Sequence, residues 1–181
     1  MTVTVALLGT GLLGSAIASR LLAVGCSLRI WNRDRARCEP LISAGAQCFD
    51  NPAQAIAGAS TVITVLRDGP VTSEVVASLG ALNQSCVMPM GTMGISESVA
   101  LEAQVLHRGG LYLEAPVLGS RPEALAGRLL VMAGGEQAVF DQQRVLLSHL
   151  AEEPKRMGPV GTGAASKLAL NQLIASLTHG Y

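Results

Sequence analysis

Two rhythms of apolar and polar positions run along the chain. Residues 2–8 form a β-branched apolar run that stops at Gly9 and reads as a buried strand. Residues 12–24 then take helical spacing, with Ile17, Leu21 and Val24 on one stripe and Gly25 as the stop. Ser27–Trp31 is a second strand, followed by the segment 33–43 and a short strand near 47–49. Residues 52–57 begin with proline at a helix entrance, and 61–66 are strongly β-branched. Beyond them the pattern predicts a helix over 71–79, a strand over 86–88, a helix over 96–107 and a strand over 111–114. A loop with glycine and proline leads to the apolar run 129–133, a helix over 137–150, and a long apolar helix from about Gly163.

Strands alternating with helices of ten or more residues indicate βαβ units and a mainly parallel sheet, covered on both faces. The expected fold is therefore a doubly wound α/β domain with an additional βα extension. No repeat, low-complexity segment or polar linker divides it.

The turn after the first strand carries the clearest chemistry. Gly9-Thr10-Gly11-Leu12-Leu13-Gly14 matches G-x-G-x-x-G between a strand and a helix, the context a dinucleotide site requires. Gly9 permits the tight turn, Gly11 lets a diphosphate approach the backbone, and Gly14 lets helix pack on strand. The N–H groups and positive dipole end of that helix would hold the diphosphate, so the sheet is of Rossmann type. Leu66, at the end of the fourth strand, joins the expected cofactor contacts. The ribose partner ends the second strand, about twenty residues on. That place holds Asn32, followed by Arg33, with Arg35 and Arg37 nearby. An amide beside a guanidinium suits a 2′-phosphate and favours NADP(H) over NAD. Asp34 would reach the ribose only after a two-residue shift of register.

Lys167 is the second chemical signal. It is the only Lys, Arg, Asp or Glu from 158 to 181, and the chain has just one other lysine, Lys155. Asn171 follows four residues later on the same helical face. With Leu168, Leu170, Leu173, Ile174 and Leu177 around it, the helix is expected to be largely buried, which would lower the lysine pKa and make it a competent general acid/base.

These signals, with Met90-Gly91-Thr92-Met93-Gly94 and Glu114-Ala115-Pro116-Val117-Leu118-Gly119-Ser120, give the chain the motif order of the β-hydroxyacid dehydrogenase family, which it resembles over essentially its whole length. That family includes 3-hydroxyisobutyrate dehydrogenase, glyoxylate and succinic semialdehyde reductases, and 6-phosphogluconate dehydrogenase. The resemblance implies hydride transfer between NADP(H) and a small hydroxy acid or aldehyde acid. Lys167 would be the acid/base, Asn171 would orient substrate and lysine, and Thr92 would contact the nicotinamide side. Leu118, Gly119 and Ser120 would line the substrate carboxylate. The family usually has serine where this chain has Leu118 and Gly91, and glycine where it has Ser120. The opening Glu-Ala-Pro-Val looks nearest to the glyoxylate and succinic semialdehyde reductases. Two rivals remain: an imine reductase, although those generally lack the lysine, and a non-catalytic NADP-binding protein.

Composition narrows the partners. Thirteen basic and thirteen acidic residues cancel, which gives no footprint for nucleic acid. Aromatics are only 3%, so the core must be aliphatic. Residues 1–19 are uncharged, yet a secretory signal places basic residues before its apolar run, and here Arg20 comes after it. The expectation is a cytoplasmic chain that does not enter membranes. Cys26, Cys38, Cys48 and Cys86 have neither disulfide nor zinc spacing and read as free thiols, so no metal is expected. Residues 1–160 are expected to be the dinucleotide-binding domain. Residues 161–181 would start an interdomain helix that, in the resembled family, leads to an all-helical domain and a dimer contact. That second domain is expected to be absent here, leaving a cofactor-binding unit with little turnover that self-associates through the helix, although His179-Gly180 also offers a local stop.

Overall fold

The computed structural model describes residues 3–179. Its sheet has nine strands: β1 (Thr4–Leu8), β2 (Ser27–Trp31), β3 (Gln47–Cys48), β4 (Thr61–Thr64), β5 (Cys86–Pro89), β6 (Leu111–Glu114), β7 (Val117–Leu118), β8 (Leu130–Gly135) and β9 (Lys155–Gly158). Strands β1 to β6 pair in parallel in the order β3-β2-β1-β4-β5-β6. This is the Rossmann order, and it reverses direction between β1 and β4. Thr2 of the expected strand 2–8, and Gly180 and Tyr181 of the expected helix 161–181, lie outside the described residues.

Alternation explains the apolar strands. Val5 and Leu7 face α1 (Leu12–Ala23), α2 (Glu39–Ser43), α6 (Arg121–Ala126) and α7 (Gln137–Ser148). Ala6 and Leu8 face α3 (Pro52–Ile56), α4 (Gly69–Ala77) and α5 (Ile95–His107). Both faces are covered, so no polar side can appear in the pattern. The helix starts follow local chemistry: Asn51 Oδ1 accepts from Gln54 N at 2.9 Å and Asp68 Oδ1 from Val71 N at 2.9 Å.

The extension after β6 is larger than the sequence pattern suggests. β8 runs antiparallel to β6 and β7, and β9 pairs in parallel with β8. Strands β7 and β9 and helix α6 were not expected. β7 has two residues, and β9 reads Lys-Arg-Met-Gly, which shows no alternation of apolar and polar positions. The segment 33–43 divides into a 3₁₀ turn, Arg35–Cys38, and α2.

The last helix, α8 (Thr162–His179), requires a correction. Its first turns pack on β8, β9 and α5, and Ala164 and Lys167 are buried. From Leu168 onward it is mostly exposed, with Leu173 at 55% and Leu177 at 61%. The expectation of a largely buried helix therefore holds only as far as Lys167, because one edge of a sheet covers one end of a long rod.

Candidate active site

A cleft of about 850 Å³ opens at the carboxyl ends of β1 and β4, where the strand order reverses. Gly9, at φ +104°, fits only as glycine, since a Cβ would collide with the Val65 carbonyl oxygen. A Cβ on Gly14 would strike the Gly9 carbonyl, so this pair lets α1 begin tight against β1. Gly11 differs. A Cβ there meets nothing within 4 Å, because the residue faces the cleft as the N-cap of α1. No side chain caps that helix end and no acid stands in its first turn. Its N–H groups and dipole therefore face the cleft, an arrangement that fits a dinucleotide diphosphate.

Most of the expected cofactor residues meet here. Gly9, Gly11, Leu12, Leu13, Gly14, Asn32, Arg33, Leu66 and Thr92 line the cleft. Thr10 does not. It is 2% exposed, its N–H donates to Asn32 Oδ1 at 3.1 Å, and its hydroxyl lies 3.7 Å from Cys38 Sγ. Asn32 also donates from Nδ2 to the Asp34 carbonyl at 2.9 Å, so its amide ties the glycine loop to the end of β2. The Asp34 carboxylate accepts from Ala36 N at 3.1 Å and lies 3.5 Å from Arg37, while Arg35 pairs with Asp50 at 2.7 Å. Among the described residues Arg33 makes no ion pair, and it lines the cleft together with Asp34, Arg37, Arg67 and Glu74.

Lys167, 9% exposed, lines the same cleft, as do Met90, Gly91, Thr92, Val117 and Gly119. Burial lowers its pKa from the ordinary lysine value. Gly91 stands where the resembled family commonly has serine; a Cβ there would lie 2.8 Å from the Leu66 carbonyl oxygen, so this backbone accepts only glycine. Of residues 118–120 only Gly119 lines the cleft. Leu118 sits in β7 opposite Leu130. Ser120 caps α6, its hydroxyl donating to Glu123 Oε2 at 2.6 Å and its N–H to the same oxygen at 2.7 Å. Asn171 is exposed on α8 and outside the cleft.

Sequence reasoning overlooked Arg67 and Glu74 in the lining. Their only signal was position, just after β4 and on the facing side of α4. It also gave no role to Glu114, which is 1% exposed. Among the described residues no cluster of His, Cys, Asp or Glu could hold a metal ion, and no helix is long and apolar enough to cross a membrane. Cys38 and Cys86 are buried and Cys26 and Cys48 half-buried, all as free thiols. Burial pushes the Cys86 thiol up to about 12.

Residues 4–161 match the family model described as the NAD binding domain of 6-phosphogluconate dehydrogenase. Two curated relatives from Arabidopsis thaliana are glyoxylate/succinic semialdehyde reductase 1, 30% identical over 98% of this chain and 63% of its own, and the chloroplastic reductase 2, 29% identical over 97% and 51%. The chain thus spans between half and two thirds of the length of these relatives. A solved structure of Mycobacterium tuberculosis 3-hydroxyisobutyrate dehydrogenase with L-serine is similar at 27% identity and a TM-score of 0.89, over 97% of this chain and 61% of that one. An imine reductase from Pseudomonas sp. shares the fold at a TM-score of 0.94 and 23% identity, over 99% and 64%.

Proposed function

The chain belongs to the family of the NAD binding domain of 6-phosphogluconate dehydrogenase, and from that membership we propose a reductase that moves hydride between NADP(H) and a small hydroxy acid or aldehyde acid, with Lys167 as general acid/base. The observation that carries this reading is Lys167, a buried amine in the same cleft as the glycine loop, with its pKa lowered by burial. A lysine whose pKa is lowered by burial gives up its proton more readily, which suits a general acid/base.

The nicotinamide would supply the hydride and carry the redox change. The protein would do the rest. The first turn of α1 would hold the diphosphate, and unpaired Arg33 would hold a 2′-phosphate, which a free carboxylate in its place would repel. The engagement of Asp34 in its own cap and with Arg37 supports NADP(H) over NAD. Thr92 would contact the nicotinamide side. In reduction the Lys167 ammonium would donate a proton to the developing alkoxide and stabilise its charge meanwhile. The substrate carboxylate would meet main chain at Gly119 rather than the hydroxyl of Ser120, which Glu123 occupies. Residues 1–160 would form the nucleotide-binding unit, and exposed Leu173 and Leu177 support a contact role for 161–181 in a homodimer. A reducing cytoplasm suits the four free thiols.

The test is Lys167→Ala with NADPH and a panel of aldehyde acids and imines. Turnover of aldehyde acids should fall by ~10² or more while NADPH affinity holds, because the phosphate contacts lie elsewhere. For the unmodified chain, kcat/KM of reduction should fall as pH rises through the lowered lysine pKa, since the donor loses its proton; oxidation should rise over the same interval. Wild-type kcat in the mutant would refute the role. Turnover of imines alone would move the chain to the imine reductases.

A further inference from the structure

Lys167 rides on α8, whose first turn donates three N–H groups to one buried side chain. Glu114 ends β6 and is 1% exposed. Its Oε1 accepts from Gly161 N at 2.8 Å, Gly163 N at 2.7 Å and Ala164 N at 3.3 Å, the N–H groups at the first turn of α8. Its Oε2 accepts from the Ser98 hydroxyl on α5, which also lies 2.8 Å from Tyr112 Oη. The surroundings are shaped for this carboxylate. A Cβ on Gly134 would collide with Oε1, and one on Gly163 would lie 3.0 Å from it. Gly161 takes φ +96°, turning the chain so that three donors converge on one oxygen.

We propose that Glu114 is the positioning residue for Lys167: by anchoring the first turn of α8 it sets where the amine stands in the cleft. Lys167 lies four residues after Gly163, one helical turn of ~5.4 Å, so a shift of the anchored turn moves the amine with it. Glu114 does not line the cleft and leaves the α1 end untouched. It acts through the helix and not as an ion-pair partner, since among the described residues no acid forms a salt bridge with Lys167. The ionisable groups on the elements packed against α8 are Glu97, Glu102 and His107 on α5 and Lys155 and Arg156 on β9. The catalytic consequence rests on the proposed role of Lys167; the anchoring does not.

The chain's two lysines make a direct test possible. Only a neutral amine reacts with acetic anhydride. Trace acetylation over a pH series, resolved by peptide mass spectrometry, therefore reads the titration of Lys167 with Lys155 as internal control. In the intact chain Lys167 should react at a lower pH than Lys155. Glu114→Ala should move the Lys167 midpoint up toward that of Lys155, lower kcat by ~10²-fold and leave NADPH affinity unchanged, because a displacement of ~1 Å already costs that much. Glu114→Gln, which keeps an oxygen facing the three N–H groups, should restore both readouts. If Glu114→Ala fails to fold, Glu114→Asp decides, since its shorter side chain must draw the helix toward it or release it. A folded Ala or Asp variant with wild-type labelling and kcat overturns the proposal, as does a folded Gln variant no better than Ala. Labelling needs no turnover, so the anchor is judged even if Lys167→Ala shows that the lysine is not catalytic.

Discussion

The molecule contains two helix N-termini of opposite design. At α1 the end is open: Gly11 is the N-cap, no side chain covers the N–H groups and the space before them is the cleft. At α8 the end is closed by the chain's own buried carboxylate, Glu114, with three N–H groups on one oxygen. Every helix leaves such donors, and they attract anions in proportion to their isolation from water. The difference teaches what each end is for. An end left open onto a cleft suits an anion from outside. An end filled from inside fixes a lever, here the turn that carries Lys167.

The sharpest way to break this comparison is at the open end. Gly14→Ala drives a Cβ into the Gly9 carbonyl and deforms the loop that exposes Gly11. The variant should lose the rise in melting temperature that NADPH gives the intact chain, a rise worth ~2.7 kcal/mol at a hundredfold excess over Kd. An undiminished rise would mean that the diphosphate is not held there. A smaller effect is expected from Arg33→Asp, which should move preference from NADPH toward NADH by ~1–3 kcal/mol in kcat/KM. Wild-type preference for NADH would instead make Asp34 the ribose partner. The smallest effect belongs to the closed end. Ser98→Ala removes the donor to Glu114 Oε2 and should cost ~1–2 kcal/mol of unfolding free energy with NADPH affinity unchanged, measured by urea titration and fluorescence.

The same contrast explains what could be read in advance. The open end announces itself: its glycines stand at fixed spacing between an apolar strand and an apolar stripe, and short-range sterics demand them. The parallel core was legible for the same reason, because β1 and β4 are buried almost throughout and β2 alternates buried Leu28 and Ile30 with Ser27 and Arg29, each strand ending at glycine or at a polar turn. The closed end gave no such signal. Glu114 meets Gly161 across a long stretch of chain, and nothing local in Leu-Tyr-Leu-Glu tells a buried acid from an exposed one. Lys167 was found because its neighbours carry no charge, yet the expectation that α8 is largely buried went too far, since an apolar composition shows that a helix can be covered and not where. Helix α6 was missed despite a usable sign: Ser120 and Glu123 form a capping box and Gly127 closes the helix in the left-handed conformation. Its six residues are too few for a stripe to show.

The span of the anchor bears on the order of events during folding. Glu114 and its partners on α8 are separated by 47, 49 and 50 positions in sequence, with β7, α6, β8, α7 and β9 between them. Closing so long a loop has an entropic cost that local turns avoid, so contacts of this kind form late. The β1–β4 pairing that frames the cleft closes a span of similar length, Val5 lying opposite Thr61. The amine reaches the cleft only when the whole excursion has been laid down against β6. If Lys167 serves as proposed, proton transfer would depend on the integrity of the β8–β9 edge as well as on the parallel sheet.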